Sequence, residues 1–188
     1  IEDQFLILNQ DFSKTNPEFP NPPRNTFINY AGNPQIQFCL ASIDPSGNPT
    51  TGITRTPTTN SEWNYNTQSN DMKQTTTGGI DNWDPLKYLN IWICKIGSSG
   101  GGQTLGYAYL PGLQAGNQSW KDGIVVDYRL FGTVGNSSNS SDGRTTTHEV
   151  GHYLGLSHTF CESSGCCDND LNGNYSWGDV DDTPATEE

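Results

Sequence analysis

TTTHEVGHYLGLSHTF, residues 145–160, contains all three histidines of the 188-residue chain. His148 and His152 are four residues apart, and on a helix this spacing projects both imidazoles from one face, one turn apart. Two ring nitrogens placed in this way can bind one metal ion at roughly 2.0–2.1 Å each. The segment therefore predicts a metal-binding helix over residues 145–154.

A glutamate and a third histidine extend this pattern. Glu149 does not point toward the metal as the histidines do, but it can reach a water bound there and accept its proton. Gly155 tolerates a left-handed backbone that ends the helix, and a chain that breaks there can return His158 to the same metal. Three nitrogen ligands leave a fourth position for water, which is typical of a catalytic zinc site.

Two other interpretations of the segment are weaker. Three unrelated histidines would not be expected to fall within so few residues. A structural zinc site usually recruits cysteine, and it gives Glu149 no chemistry. The apolar residues beside the ligands are predicted to anchor the segment in the core, and they are Val150, Tyr153, Leu154 and Leu156.

The rest of the chain predicts one helix and several strands. Apolar residues recur at helical spacing from Ile1 to Phe12, so the chain is expected to open in a helix. Strand patterns occupy four segments, residues 36–42, 88–97, 104–112 and 122–132. The second is a continuous apolar run, which suits a strand buried on both faces. The third stops at a proline, which suits a sheet edge. Together these elements predict a single α/β (α+β) domain over residues 1–188 with a small mixed sheet.

Charge restricts the partners of this domain. The net charge is −12, so nucleic acid and anionic membranes are not expected to bind, and no apolar run reaches transmembrane length. Residues 162–188 contain eight Asp and Glu and no Lys or Arg. Such carboxylates repel one another unless a cation lies among them. The alternative is a solvated acidic tail.

The chain has five cysteines, Cys39, Cys94, Cys161, Cys166 and Cys167. An odd number leaves at least one without a partner in this chain. Cys39 and Cys94 lie in two predicted strands. The sequence allows both a disulfide between them and two buried thiols.

HEVGHYLGLSH, residues 148–158, resembles the zinc-binding consensus of the metzincin clan of metalloproteases. With its flanks, GIVVDYRLFGTVG (123–135), GRTTTHEVGHYLGLSHTF (143–160) and GDVDDTP (178–184), the chain resembles the pappalysin family of that clan. NPQIQFCLASIDPSGNPTTGITRT (33–56) and YLNIWICKIGSSGGGQTLGYAYLPG (88–112) fit the same family. The resemblance therefore covers almost the whole chain.

The resemblance implies a fold, an activity and a metal site. It implies a metzincin-like N-terminal subdomain with a small twisted mixed sheet, a backing helix and an active-site helix. The implied activity is that of a secreted zinc endopeptidase that binds protein or peptide substrates in extended form along an edge strand, for which TLGYAYLPG is the candidate. Its implied zinc ligands are His148, His152 and His158, with Glu149 as general base.

The resemblance also implies a structural calcium ion near GDVDDTP. The expected ligands are oxygens of Asp179, Asp182 and Thr183 and the carbonyl of Val180. For the three cysteines that follow the helix, it implies disulfides with partners further downstream.

Some family features are missing from this sequence. Metzincins have a methionine turn downstream of the zinc motif, whereas the single methionine here, Met72, lies upstream. We therefore expect the chain to lack the C-terminal subdomain that carries this turn, and also a first strand before the opening helix. A C-terminal segment or chain would then complete the cleft. The alternative function is a catalytically weak metal-bound module that binds extended peptides without cleaving them.

Overall fold

The structure, a computed structural model, describes residues 1–19, 31–97, 102–111, 118–137, 139, 141–156 and 158. Its helices in these ranges are α1 (Glu2–Ser13), α2 (Tyr65–Gln68) and α3 (Arg144–Tyr153). Its strands there are β1 (Trp63–Asn64), β2 (Ile91–Cys94), β3 (Ile96–Gly97), β4 (Gly106–Tyr109) and β5 (Gly123–Asp127). Short 3₁₀ turns lie at Asp71–Lys73, Thr75–Thr77, Ser119–Lys121 and Tyr128–Leu130. None of the helices in the described ranges has the length and apolar character of a membrane span.

The main sheet is mixed and has β5 at its centre. β2 pairs with β5 in parallel, and β4 pairs with its other side in antiparallel orientation. β1 and β3 form a separate short parallel pair. All five residues of β5 are buried, because both faces of this strand are covered. The small mixed sheet is as the sequence predicts, and so is the edge position that the GYAY segment has among the described strands.

Two apolar clusters cover the two faces of the sheet. Ile124 and Val126 face α1 and α3, where they pack with Leu8, Val150 and Tyr153. Val125, which alternates with them, packs on the opposite face. The cluster on that face also contains Trp63, Met72, Trp92 and Ile96. The active-site helix candidate α3 therefore lies against one side of the sheet and shares its core with α1.

The predicted opening helix is present as α1, and its polar side chains position the start of α3. Gln4 is buried, and its amide donates to the carbonyl of Gly143 at 2.8 Å while its oxygen accepts from the amide of Gly132 at 2.7 Å. Asp11 accepts a hydrogen bond of 2.7 Å from the Thr147 hydroxyl within α3. α1 thus fixes the chain entering α3 and its first turn.

The predicted strand over residues 36–42 is wrong. In the structure this segment has no regular secondary structure. The β-pairing nearest to it is an isolated bridge between Ile43 and Pro49, just after the segment. The side chain of Asn9 in α1 bonds both backbone groups of Phe38, at 2.7 and 2.9 Å. The backbone hydrogen bonds of Phe38 are therefore made by a helix side chain and not by a neighbouring strand.

The apolar run 88–97 forms shorter strands than predicted, β2 and β3. Ile93 is 39% exposed, so the expectation of burial on both faces is also wrong for β2, which is an edge strand within the described part. The predicted strand 122–132 is confirmed as β5, but it ends at Asp127. The Asp127 side chain accepts from the backbone amide of Arg129 at 2.9 Å and so begins a 3₁₀ turn.

Cys39 and Cys94 match neither of the two predicted alternatives. Both thiols are free, so the structure contradicts a disulfide between them. Cys39 is exposed, because its segment does not join the sheet, whereas Cys94 is partly buried. Burial, together with the nearby Asp127 carboxylate, raises the pKa of the Cys94 thiol to about 12.

Candidate metal centre

The C-terminal end of α3 determines where the three histidines lie. α3 carries His148 and His152 one turn apart and ends at Tyr153. Gly155 then adopts φ +94°, and the amides of Gly155 and Leu156 donate back to the carbonyls of His152 and Gly151 at 2.9 and 3.0 Å. These two bonds form a Schellman motif, which reverses the chain after the helix. The predicted break at Gly155 is therefore present, and His158 returns to the histidine face of α3.

The three imidazoles converge through their Nε2 atoms. The distance from His148 to His152 is 2.9 Å, and His158 lies 3.0 Å from each. The Nδ1 atom of His152 lies 2.7 Å from the carbonyl of Leu156, which can only accept a hydrogen bond, so Nδ1 carries the proton. The Nε2 lone pair of neutral His152 is then directed at the Nε2 atoms of His148 and His158. Lone pairs this close repel unless a proton or a cation lies among them, and the donor set therefore fits a zinc ion.

The electrostatics of the cluster favour neutral, metal-binding histidines. Burial lowers the pKa of His148, and the neighbouring His152 and His158 lower it further. The pKa of His158 is lowered by burial and by His152. A lower pKa keeps the imidazole neutral over more of the physiological pH range, which is the form that binds a metal.

Glu149 follows His148 in α3 and is buried, with 6% of its surface exposed. Burial raises the pKa of its carboxyl to about 7. The side chain packs against β4, where a Cβ added at Gly106 would lie 2.9 Å from its Oε1 atom. A carboxylate with a pKa near neutrality can both accept and return a proton at neutral pH.

The structure brings together the three predicted zinc ligands, His148, His152 and His158, and Glu149 follows His148 in the same helix. The residues predicted for calcium lie outside the described ranges, and they are Asp179, Val180, Asp182 and Thr183. Cys161, Cys166 and Cys167 also lie outside them.

Of the four apolar residues predicted to anchor the segment in the core, two are buried and two are exposed. Val150 and Tyr153 are buried, but Leu154 and Leu156 are 45% and 54% exposed. The prediction for these two leucines is wrong: Leu154 lies at the C-cap, past the last residue of α3, and Leu156 follows the reversal at Gly155.

Sequence reasoning missed three features of the site. The Leu156 carbonyl that orients His152 leaves no signal in a sequence, since every residue has a carbonyl. Asp122 accepts a 2.9 Å hydrogen bond from the Tyr153 hydroxyl and so anchors the end of α3. Gly106 could have been predicted, because a glycine within a strand often marks a place where another part of the chain approaches that strand closely.

The family model described as pregnancy-associated plasma protein-A, Peptidase_M43, matches residues 51–188. This chain belongs to the pappalysin family. The resemblance that the zinc motif and its flanks indicated is thereby confirmed.

Relatives of this pappalysin-family chain are extracellular metalloproteases. One from Arthroderma benhamiae is 35% identical over 131 residues, which cover 68% of this chain and 39% of the relative. Another, from Arthroderma otae, is 34% identical over 140 residues, which cover 73% of this chain and 48% of the relative.

Solved structures of mirolysin share the fold of this pappalysin. Mirolysin in complex with compound 9 superposes with a TM-score of 0.77 at 40% identity. Mature mirolysin of Tannerella forsythia in complex with a cleaved peptide gives 0.78, also at 40% identity. Each match covers 89% of this chain and 59% of mirolysin. The predicted fold class is therefore confirmed, and the chain spans about half the length of the relatives it matches.

Proposed function

We propose that this chain carries the zinc site of a secreted endopeptidase, with His148, His152 and His158 as zinc ligands and Glu149 as general base. The observation that carries the proposal is the convergence of three Nε2 atoms within 3.0 Å of one another, on a helix in which the buried Glu149 follows the first ligand. The names of the extracellular relatives support secretion.

The chemistry divides between the metal and the protein. Zinc bound at such a site supplies Lewis acidity, which lowers the pKa of a bound water and polarises a carbonyl. Glu149 accepts the proton of the attacking water and later returns it to the leaving nitrogen. The Leu156 carbonyl holds His152 in the tautomer that presents Nε2.

Substrate is proposed to bind in extended form along β4. Gly106–Tyr109 pairs with β5 on one side only, and no strand occupies its other edge within the described ranges. A sheet edge without a neighbouring strand accepts an extended peptide through main-chain hydrogen bonds. Glu149 packs directly against this strand, so a peptide added there would lie near the base. The mirolysin complex with a cleaved peptide supports a peptide ligand by analogy.

Three further assignments are proposals that rest on the family resemblance and on ligand chemistry. A structural calcium ion is assigned to Asp179, Val180, Asp182 and Thr183, which offer hard oxygen ligands. Residues 1–188 are taken as one metzincin-like catalytic domain. A further C-terminal segment or chain is proposed to complete the substrate cleft.

Cleavage of casein by the 188-residue chain tests the proposed function. We expect cleavage that stops with a zinc chelator and falls at least a thousandfold in Glu149→Gln, because this change removes the base and keeps the shape of the side chain. The variant should still bind one zinc per chain, measured by metal analysis after dialysis. A matched variant, Gln10→Leu on α1, should cleave like the wild type.

Two results would count against the proposal. Full activity of Glu149→Gln would contradict the assigned base. A wild-type chain that binds zinc and retains an extended peptide without cleaving it would instead be a peptide-binding module.

A further inference from the structure

Gly106, the first residue of β4, lies against the side chain of Glu149. A Cβ at this position would lie 2.8 Å from Cγ and 2.9 Å from Oε1 of Glu149. Carbon atoms in proteins do not approach others at these distances without displacement. Any side chain other than hydrogen at residue 106 would therefore push against the general base.

The backbone of Gly106 does not itself require glycine. Gly106 is absent from the glycines with positive φ, and its register opposite Val126 is that of an ordinary antiparallel pair. The requirement is therefore one of space and not of conformation. The nearest other atom to an added Cβ is the carbonyl oxygen of Val125 at 3.0 Å, a looser contact than either contact to Glu149.

Small residues bring this face of β4 close to α3. Ala108 lies two residues after Gly106, on the same face of the strand, and packs against the cluster that contains Val150 and Tyr153. Tyr107, between them, packs on the opposite face. The edge strand can therefore approach the active-site helix closely, and at Gly106 it meets the side chain of Glu149.

We propose that Gly106 is a positioning residue: because it has no side chain, it leaves the space against β4 that the Glu149 carboxylate occupies, next to the strand along which an extended substrate would lie. This inference rests on the proposed function, because it assigns Gly106 a part in orienting the proposed base. A shift of about 1 Å in a reacting group can reduce the rate about a hundredfold. Gly106 would thus influence turnover without touching the zinc ligands.

The kinetic test is Gly106→Ala, with Gly102→Ala as its matched control. An added Cβ at Gly102 meets no atom within 4 Å, so this control changes glycine to alanine just before β4 without a clash. We expect Gly106→Ala to lower kcat at least about tenfold, to leave KM within about twofold and to keep one zinc per chain. The control should match the wild type. Unchanged kcat in Gly106→Ala would overturn the proposal.

A stability cycle tests the same contact without using activity. Glu149→Ala removes both atoms that an added Cβ at residue 106 would meet on Glu149. We therefore expect Gly106→Ala to lower the urea midpoint of unfolding in the wild-type background and to lower it much less in the Glu149→Ala background. If Gly106→Ala alone fails to fold, the double variant should fold. An equal loss in both backgrounds, or a double variant that also fails to fold, would assign the effect to the Val125 carbonyl and overturn the proposal.

These outcomes separate the inference from the function on which it rests. A wild type that neither binds zinc nor cleaves casein would refute the proposed function, whatever the stability cycle shows. Cleavage that depends on Glu149, together with a fully active Gly106→Ala, would refute only the positioning role.

Discussion

Gly155 determines where the third histidine lies, because its φ of +94° reverses the chain after α3. Alanine in this left-handed region is strained by about 1–2 kcal/mol, although no neighbouring atom crowds the position. We expect Gly155→Ala to destabilise the reversed turn and, by displacing His158, to weaken zinc binding about tenfold. Competition with a fluorescent zinc chelator measures this affinity.

Gly151 offers the matched control within the same helix. It has helical geometry, and a Cβ there would meet Leu156 at an ordinary 3.7 Å. Gly151→Ala should keep the zinc affinity and gain up to about 1 kcal/mol of stability from helix propensity. Equal zinc affinities for Gly155→Ala and Gly151→Ala would show that the reversal at Gly155 is not needed to place His158.

At the scale of elements, Gln4 joins α1 to the chain on both sides of the loop that precedes α3. Its side chain satisfies the Gly143 carbonyl and the Gly132 amide, which lie in buried surroundings. Gln4→Leu leaves both groups without this partner, and each buried unsatisfied group costs about 1–3 kcal/mol. We expect the free energy of unfolding to fall by about 2–6 kcal/mol in urea titrations.

Gln10→Leu controls for the loss of a glutamine from the same helix. The Gln10 side chain makes no hydrogen bond with any described residue, so this variant should lose less than about 1 kcal/mol. A Gln4→Leu variant as stable as Gln10→Leu would show that α1 does not hold the start of α3.

Elements and site residues that depend on local spacing were predictable. The helical repeat of α1, the four-residue spacing of the histidines in α3 and the apolar run of β5 each specify their structure within a few residues. The end of α3 at Gly155, which brings His158 back toward the other two histidines, was also predictable, because few residues other than glycine adopt positive φ.

Features that depend on distant partners were not predictable. Residues 36–42 alternate like a strand, yet Asn9 binds the backbone of Phe38 from a helix far away in the sequence. Leu154 and Leu156 look like core residues, but they lie where α3 ends and the chain reverses, and both are exposed. The space that Glu149 occupies depends on Gly106 in another element, and only the packed structure shows that contact.

At the scale of the whole molecule, a buried lysine links global stability to pH. Lys73 is 0% exposed, and its Nζ atom donates to the Lys121 carbonyl and lies 4.2 Å from the Tyr109 ring centroid and 4.8 Å from that of Trp92. Burial lowers its pKa from 10.5 to about 7, and the nearby Asp122 carboxylate opposes this only in part. The folded chain therefore gives up this proton at a lower pH than the unfolded chain does.

The direction of the pH effect follows from proton binding. Between pH 7 and 10.5 the unfolded chain holds a proton on Lys73 that the folded chain has lost, so the contribution of Lys73 to the free energy of unfolding rises with pH. At about 1.4 kcal/mol per pH unit, this contribution grows by roughly 3 kcal/mol from pH 7 to 9.5. Lys73→Met removes it. We expect the stability of the wild type relative to Lys73→Met to increase over this interval, measured by urea unfolding in EDTA so that zinc binding adds no pH dependence.

The comparison with Lys73→Met cancels other groups that titrate at high pH, such as the Cys94 thiol. Lys87→Met, which removes a lysine whose side chain is 72% exposed, controls for the loss of one positive charge. Below pH 7, Lys73 is protonated in both states, and the difference between wild type and Lys73→Met should become constant. Parallel stability curves for the two proteins from pH 7 to 9.5 would mean that Lys73 stays protonated in its aromatic surroundings, where cation–π contacts would then offset the cost of burying the charge.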